Sequence, residues 1–382
     1  MALVIARTAL SILCMGGIVY AALAMFAARD FFSAAPPADA GAPAPGISIL
    51  KPIRGAEADA EENFRSFCDQ DYPDYQIVFG ALDPGDPGLA AARLAAGRPS
   101  RAEIAVVAGG DAAGANPKVR NLSNMQPHAR HAVLLVSDSD VRVPPDYLKR
   151  LAGWLADPAV AVVTSPYRSR GSGAGGLLQA LGNATEFQPS AFVARMVEGV
   201  RFGLGAGILI RREALAEIGG FAEISRFLAD DLMLGLLPAR AGRRVVIALP
   251  VIDHELGRVG LAAFARRQIR WNRGIFAARP AGYAGLLWTQ TTVAAILLVA
   301  AAGGSAFGWV LAAAAIGARL AMAWQVGARE LEDPSVRKWI LLVPLRDVVA
   351  FGLWIAGFFG RTVEWRGRRY RVDRGGRLAA AE

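Results

Sequence analysis

Hydrophobic and polar positions divide the chain into three regimes. From Thr8 to Ala28 there is no charged residue, with Arg7 before the run and Arg29 after it. A helix needs roughly 20 apolar residues to cross a bilayer, and a cleavable signal peptide has a core of only about 7–15. The pattern therefore predicts an uncleaved transmembrane anchor over 1–29. From Ser33 to Gly46 the chain is rich in Ala, Pro and Gly with no apolar period, so 30–46 reads as a linker.

From Ile47 the signals alternate in the manner of an α/β domain. Strands are predicted at Ile47–Leu50, Gln76–Leu82, Ile104–Ala108, Val133–Ser137 and Val160–Thr164. Helices are predicted at Glu57–Asp69, Leu89–Ala96 and Pro145–Ala156. This order implies a mostly parallel sheet with helices on both faces, in a domain covering 47–259. Residues 260–281 form an amphipathic interfacial segment.

The third regime, 282–360, is again apolar. Leu286–Ala302 and Phe307–Val326 are joined by Gly303-Gly304-Ser305, a natural hairpin turn. Trp339–Phe359 carries Arg346 and Asp347 near its middle, a costly pair in lipid unless buried in protein. This last run is therefore expected to be re-entrant or interfacial, with its ionic pair buried. Residues 361–382 are a basic tail. No internal repeat is visible.

Composition agrees with membrane segments: 54% of residues are hydrophobic and 20% charged, and mean hydropathy is +0.32. The two cysteines, Cys14 and Cys68, suggest neither a disulfide framework nor a zinc site. The net charge of +9 is concentrated in Arg266, Arg267, Arg270 and Arg273 and in the tail from Arg361 to Arg377. Both clusters flank apolar segments, which favours lipid headgroups and nucleotide phosphates over nucleic acid as partners.

Five segments carry candidate chemistry. In Val133-Leu134-Leu135-Val136-Ser137-Asp138-Ser139-Asp140, an apolar strand ends in two carboxylates. The carboxyl end of a strand is where α/β sheets bind ligands, and Asp138 and Asp140 supply hard oxygens for Mg²⁺ or Mn²⁺. A strand ending in a polar turn leaves the same pattern. Asp83 lies just beyond a strand, where it can accept hydrogen bonds from a base or ribose, or simply make a turn. Lys118, after the stiff Asn116-Pro117, can meet a diphosphate or stand in solvent. Asp230-Asp231 opens an apolar helix; one carboxylate suffices to satisfy a helix N-terminus, and the second can serve as a general base. Arg267 and Arg270 share a helical face with Trp271 near, in a segment that also suits an interfacial amphipathic helix.

Together with Leu50-Lys51-Pro52, Gly55, Gln70-Asp71-Tyr72-Pro73 and the tail Trp365–Val372, these motifs resemble glycosyltransferase family 21, the ceramide glucosyltransferase family, within the larger family 2 type of fold. The resemblance runs from Ser48 to about Val372. It implies a GT-A fold, a UDP-sugar donor, a divalent metal and an inverting displacement onto a lipid hydroxyl, with UDP-glucose and ceramide the leading pair. Asp83 matches the family's first Asp, Asp138 the second and Asp231 the third, the base. Arg267, Arg270 and Trp271 match its membrane-side Arg-x-x-Arg-Trp motif, where the arginines would steady the departing diphosphate and Trp271 would wall the acceptor channel. Segments 76–80 and 83–87 look more like the bacterial transferases that add N-acetylglucosamine to hopanoids. A UDP-sugar donor implies a catalytic domain facing the cytosol at a bacterial inner membrane.

A processive polysaccharide synthase shares the fold and a similar Gln-x-x-Arg-Trp motif, but needs more membrane helices than the three runs after the α/β domain. An anchored protein that only binds anionic lipid through its tail leaves the Asp sites without a role.

Overall fold

A computed structural model of the protein describes residues 1–35, 44–57, 59–303, 305–365 and 368–380. Part of the expected linker, Gly304 of the expected hairpin turn, and Arg366 and Gly367 of the tail lie outside the described residues. The chain divides into two units, one made of residues 35–168, 198–257 and 376–382, the other of 1–34, 169–197 and 258–375.

The first ten strands in chain order are β1 Ile47–Ile53, β2 Tyr75–Ala81, β3 Glu103–Ala108, β4 Val133–Val136, β5 Val141–Arg142, β6 Val160–Thr164, β7 Tyr167–Ser172, β8 Ile208–Arg211, β9 Arg244–Ile247 and β10 Ile252–Arg258. Seven of them build the main sheet of the first unit in the order β3-β2-β1-β4-β8-β6-β9. Its pairings are parallel except those of β8, which runs antiparallel to β4 and β6. The mostly parallel sheet expected from the sequence is present.

Strands β1, β2, β4 and β6 are buried on both faces, whereas the edge strand β3 is partly exposed; buried strands of this kind read as near-continuous apolar runs. Along β4, Val133 and Leu135 join one core with Phe64, Phe67 and Tyr147. Leu134 and Val136 join the opposite core with Val119, Leu122, Ile210 and Leu234. This is the two-residue alternation of a strand, and each face is covered by helices. The expected helix at Glu57 starts later, at Ala60. Asp59 has φ of +59°, a left-handed conformation that a helix cannot include.

From β1 the chain runs outward through β2 to β3, then returns to the other side of β1 with β4. Strand order thus reverses between β1 and β4, and ligands bind in the crevice outside the carboxyl ends at such a switch point.

The second unit is mainly helical, with an antiparallel hairpin of Thr362–Trp365 and Arg368–Val372 near its end. Ala2–Ser33 is a single helix, and Gly173–Gly182 continues through a π-turn, Asn183–Phe187, into Gln188–Glu198. Leu261–Ala278 carries the Arg-rich segment. Ala306–Met322 runs on through a second π-turn, Ala323–Glu330. Small residues, among them Cys14, Ala294, Ala295, Ala312 and Ala315, form one of its cores, as close helix packing in lipid requires.

Among the described residues, three helical segments are long and apolar enough to cross a membrane: Ala2–Ser33, Ala306–Glu330 and Pro334–Gly357. Trp339–Phe359 falls largely within Pro334–Gly357, which includes a 3₁₀ turn at Ile340–Leu342. A sharper break lies in Leu286–Ala302, where Pro280–Thr289 meets Thr291–Ala301 at 57°. The polar sequence Thr289-Gln290-Thr291-Thr292 explains the break, since hydroxyl side chains offer the backbone alternatives to a continuous helix. Burial of the Arg346–Asp347 pair is found as expected, at 3% and 6% exposure.

Candidate active site

The carboxyl end of β4 is fixed from below. Ser137 N–H donates to Leu50 O at 3.1 Å, extending the ladder one residue, and its hydroxyl donates to Ala206 O at 2.9 Å. Lys51, fully buried, donates to Asp138 O at 2.7 Å and stands 3.7 Å from the Phe67 ring centroid. Burial pulls its ammonium down to about 7, against the opposing charges of Asp140, Asp138 and Glu57. Lys51 thus holds the backbone of the turn and leaves the Asp138 carboxylate outside.

That carboxylate meets Lys118. Lys118 Nζ lies 2.7 Å from Asp138 Oδ1 and 3.0 Å from Asp230 Oδ2, a cation clamped between two acids. It sits in the first turn of the helix Pro117–Met125. Asn116 caps that helix, its Oδ1 accepting from the N–H groups of Lys118 and Val119 at 3.0 and 3.2 Å. The Asn116 amide donates in turn to Phe227 O at 3.0 Å and to Asp230 Oδ1 at 3.4 Å. Burial opposes the Lys118 charge, but Asp138, Asp230 and Asp231 outweigh it and raise its pKa.

Asp230 and Asp231 open the helix Asp230–Arg240. Asp230 faces Lys118 and Asn116. Asp231 instead accepts the N–H of Leu232 at 2.8 Å. Burial first, and the charge of Asp230 second, push the Asp231 carboxyl up to about 6, with Lys118 opposing. Asp140 Oδ2 lies 3.1 Å from His254 Nε2, and the edge of the Tyr167 ring meets His254 with centroids 5.5 Å apart. Burial first, and then the charges of Asp231, Asp138 and Asp140, raise the Tyr167 pKa.

The structure thus brings together Asp138, Asp140, Lys118, Asp230 and Asp231 from the sequence reading. Asp83 is exposed and accepts the N–H of Gly85 at 2.9 Å, the turn geometry of its own loop at the end of β2. Arg267, Arg270 and Trp271 lie on Leu261–Ala278 in the other unit, where Arg267 donates to Gln179 at 3.2 Å and Trp271 is 40% exposed. Sequence reasoning missed His254, Tyr167, Lys51 and Asn116. His254 nears Asp140 because β10 pairs with β5, His254 opposite Val141, a register no local pattern encodes. Lys51 and Asn116 did stand inside quoted motifs.

Among the described residues no three His, Cys, Asp or Glu side chains form a ready metal cage. The donor chemistry nevertheless fits a hard divalent cation: carboxylates at Asp138 and Asp140 with an imidazole against Asp140. Mg²⁺ characteristically takes one or two carboxylates and completes its shell with phosphate and water.

The profile of glycosyl transferase family 21 matches residues 9–378. The chain belongs to that family. Ceramide glucosyltransferase 3 of Caenorhabditis elegans is 25% identical over 229 residues, 59% of this chain and 50% of the relative. The β-monoglucosyldiacylglycerol synthase of Synechocystis sp. is 25% identical over 242 residues, 61% of this chain and 48% of the relative. The chain spans about half the length of these curated relatives. Among solved structures, the mannosyltransferase of Pyrobaculum calidifontis, in complex with GDP-Man and Mn²⁺, is similar with a TM-score of 0.52 and 19% identity, over 94% of this chain and 99% of that one. This likeness shows the fold, the GT-A arrangement expected from the family 21 motifs.

Proposed function

We propose that this family 21 member is a membrane-bound inverting transferase that moves a sugar from a UDP-sugar to a lipid hydroxyl, with UDP-glucose and ceramide the leading pair. The observation that carries the reading is the clamp at the sheet's switch point. Lys118 bridges Asp138 and Asp230, and Asp231, whose carboxyl burial pushes up to about 6, follows Asp230 in the chain.

In this reading Asp138 and Asp140, with His254 against Asp140, hold a divalent cation. A cation there would offset the charge of the diphosphate leaving group. Lys118, already charged and preorganised, adds a second positive group to the same place. Asp83, at the end of β2, accepts hydrogen bonds from the base or ribose. Asp231 takes the proton of the lipid hydroxyl as that oxygen bonds to the anomeric carbon; the bond to UDP breaks on the opposite face. Asp230 is the poorer base because Lys118 and Asn116 already occupy its oxygens. The match of Arg267, Arg270 and Trp271 to the family's Arg-x-x-Arg-Trp motif supports a role for the arginines with the departing diphosphate and for Trp271 with the acceptor.

Candidate spans on both sides of the α/β sequence support a membrane location. A UDP-sugar donor supports a catalytic unit facing the cytosol, at the inner membrane of a bacterium. The Synechocystis relative supports diacylglycerol as a second acceptor, and the 76–87 segment supports N-acetylglucosamine transfer to a hopanoid. The test is to incubate the full chain in vesicles with several UDP-sugars and with ceramide, diacylglycerol or hopanoid, and identify products by mass spectrometry. A monoglycosylated lipid is expected. Long polymer, or no glycolipid from any pairing, would overturn the reading.

A further inference from the structure

Within the helical unit, apolar segments converge on a cluster of charge that the transfer chemistry does not use. Arg319 lies in Ala306–Glu330, and Arg346 and Asp347 lie in Pro334–Gly357; their exposures are 4%, 3% and 6%. Arg319 donates to both Asp347 oxygens, at 3.0 and 2.9 Å, and to the Thr185 hydroxyl at 3.1 Å. The Thr292 hydroxyl donates to Asp347 at 2.7 Å. Arg346 pairs with Glu186. Two buried donors are left over, Arg319 Nη1 and Arg346 Nε. A buried guanidinium N–H without an acceptor carries an uncompensated desolvation cost, larger than that of a neutral donor. Such groups are expected to meet something.

Both arginines line a small cavity, together with Tyr20, Glu186, Gln290 and Asp347 among others. Its free volume of about 10 Å³ is at the lower limit for a single water-sized oxygen group. Irregular backbone surrounds it: the π-turn Asn183–Phe187 supplies Glu186, and the break before Thr291 supplies Gln290. Broken helices persist at membrane depth where they are buried in protein or line a polar cavity, and such breaks often mark substrate sites.

Charge narrows the ligand. Two arginines, one aspartate and one glutamate sum to zero, so an anionic headgroup would enter with its charge unmatched. A neutral hydroxyl or carbonyl oxygen accepts both spare N–H groups at no such cost.

We propose that this cavity is an intramembrane site for the polar group of a neutral lipid, whose hydroxyl or amide oxygen accepts hydrogen bonds from Arg319 Nη1 and Arg346 Nε. A water molecule offers the same oxygen, and the experiment separates the two. The proposal deepens the lipid-acceptor reading and rests on it for the ligand class.

The test uses the full chain in phosphatidylcholine vesicles with trace photoactivatable ceramide or diacylglycerol. Saturable crosslinking to peptides bearing Thr185–Glu186 or Thr289–Thr291 is expected, competed by the unlabelled neutral lipid and not by phosphatidylglycerol. Ala350→Leu, which narrows the cavity and leaves every charge in place, should cut labelling at least roughly tenfold, a loss of about 1.4 kcal/mol. Ala350→Val is the smaller step should the leucine variant fail to fold. Labelling that neither saturates nor is competed, equal competition by phosphatidylglycerol, or full labelling in a folded Ala350 variant would mean a water-filled structural network. UDP binding measured in the same vesicles reports separately on the transferase reading.

Discussion

Asp231 and Asp230 are neighbours with opposite commitments, and that difference decides what each can do. Asp230 holds Lys118 and Asn116, whereas Asp231 accepts its neighbour's N–H. Asp231→Asn should therefore lower turnover by about 10²–10⁴-fold and leave UDP affinity nearly unchanged in a calorimetric titration. If Asp230→Asn cost more turnover at unchanged UDP affinity, the roles would be exchanged. The pH dependence follows from the same carboxyl, raised from 3.8 to about 6. A general base works ionised, so kcat/KM should climb as pH rises through about 6 and level off above it. For stability the sign is opposite. The raised group favours the folded state while protonated, and that contribution is lost as pH rises from the unfolded value through about 6. At the diphosphate end, Asp138→Ala and excess chelator should each abolish transfer, and the variant should weaken UDP binding; full activity in chelator would remove the metal role. Asp138, Asp140 and Lys118 were legible because strand-end carboxylates and a Pro-stiffened turn have local signatures. His254 was not, because it reaches Asp140 only through strand pairing across 114 residues.

Asn116 shows how one side chain ties elements together. It caps the helix Pro117–Met125, reaches Phe227 O, and touches Asp230. Asn116→Ala should cost about 1–2 kcal/mol from the lost cap and lower activity as well, because Lys118 and Asp230 lose a shared anchor. A thermal midpoint and turnover measured together check this; a drop in stability with full turnover would confine Asn116 to folding. Strands β1, β2, β4 and β6 were readable because fully buried strands are short apolar runs with clear ends. Strand β8 was not read: Ile208–Arg211 follows a Gly-rich stretch and inserts antiparallel between β4 and β6, a choice made by tertiary pairing. The break at Gln290 was missed for the opposite reason. Hydropathy sums over Leu286–Ala302 and does not register that Thr292 turns toward Asp347.

Across the whole chain, membrane topology can be tested by labelling. With the α/β unit and the basic tail both cytosolic, the region after Arg279 must cross an even number of times. Ala306–Glu330 and Pro334–Gly357 supply two crossings, and the bent Pro280–Ala301 pair is then re-entrant. The native cysteines, Cys14 and Cys68, are both buried, so introduced ones can be labelled selectively. A cysteine at Gly303 should react from the cytosolic side, and one at Glu332 from the other. The reverse at Gly303 would make the bent pair a full span. At this scale the membrane segments were legible as apolar runs, while the buried partners of Arg319 and Arg346 were not, since they come from distant helices.

The most direct measurement is the stereochemistry of the product. UDP-glucose labelled with ¹³C at the anomeric carbon would be supplied to the full chain in ceramide-containing vesicles, and the glycolipid read by NMR. Attack on the α-linked donor by a hydroxyl that Asp231 deprotonates, opposite to the leaving diphosphate, gives a β-glucoside. An α-glucoside, or UDP release with no glycolipid formed from any lipid hydroxyl, would contradict the inverting mechanism assigned to Asp231.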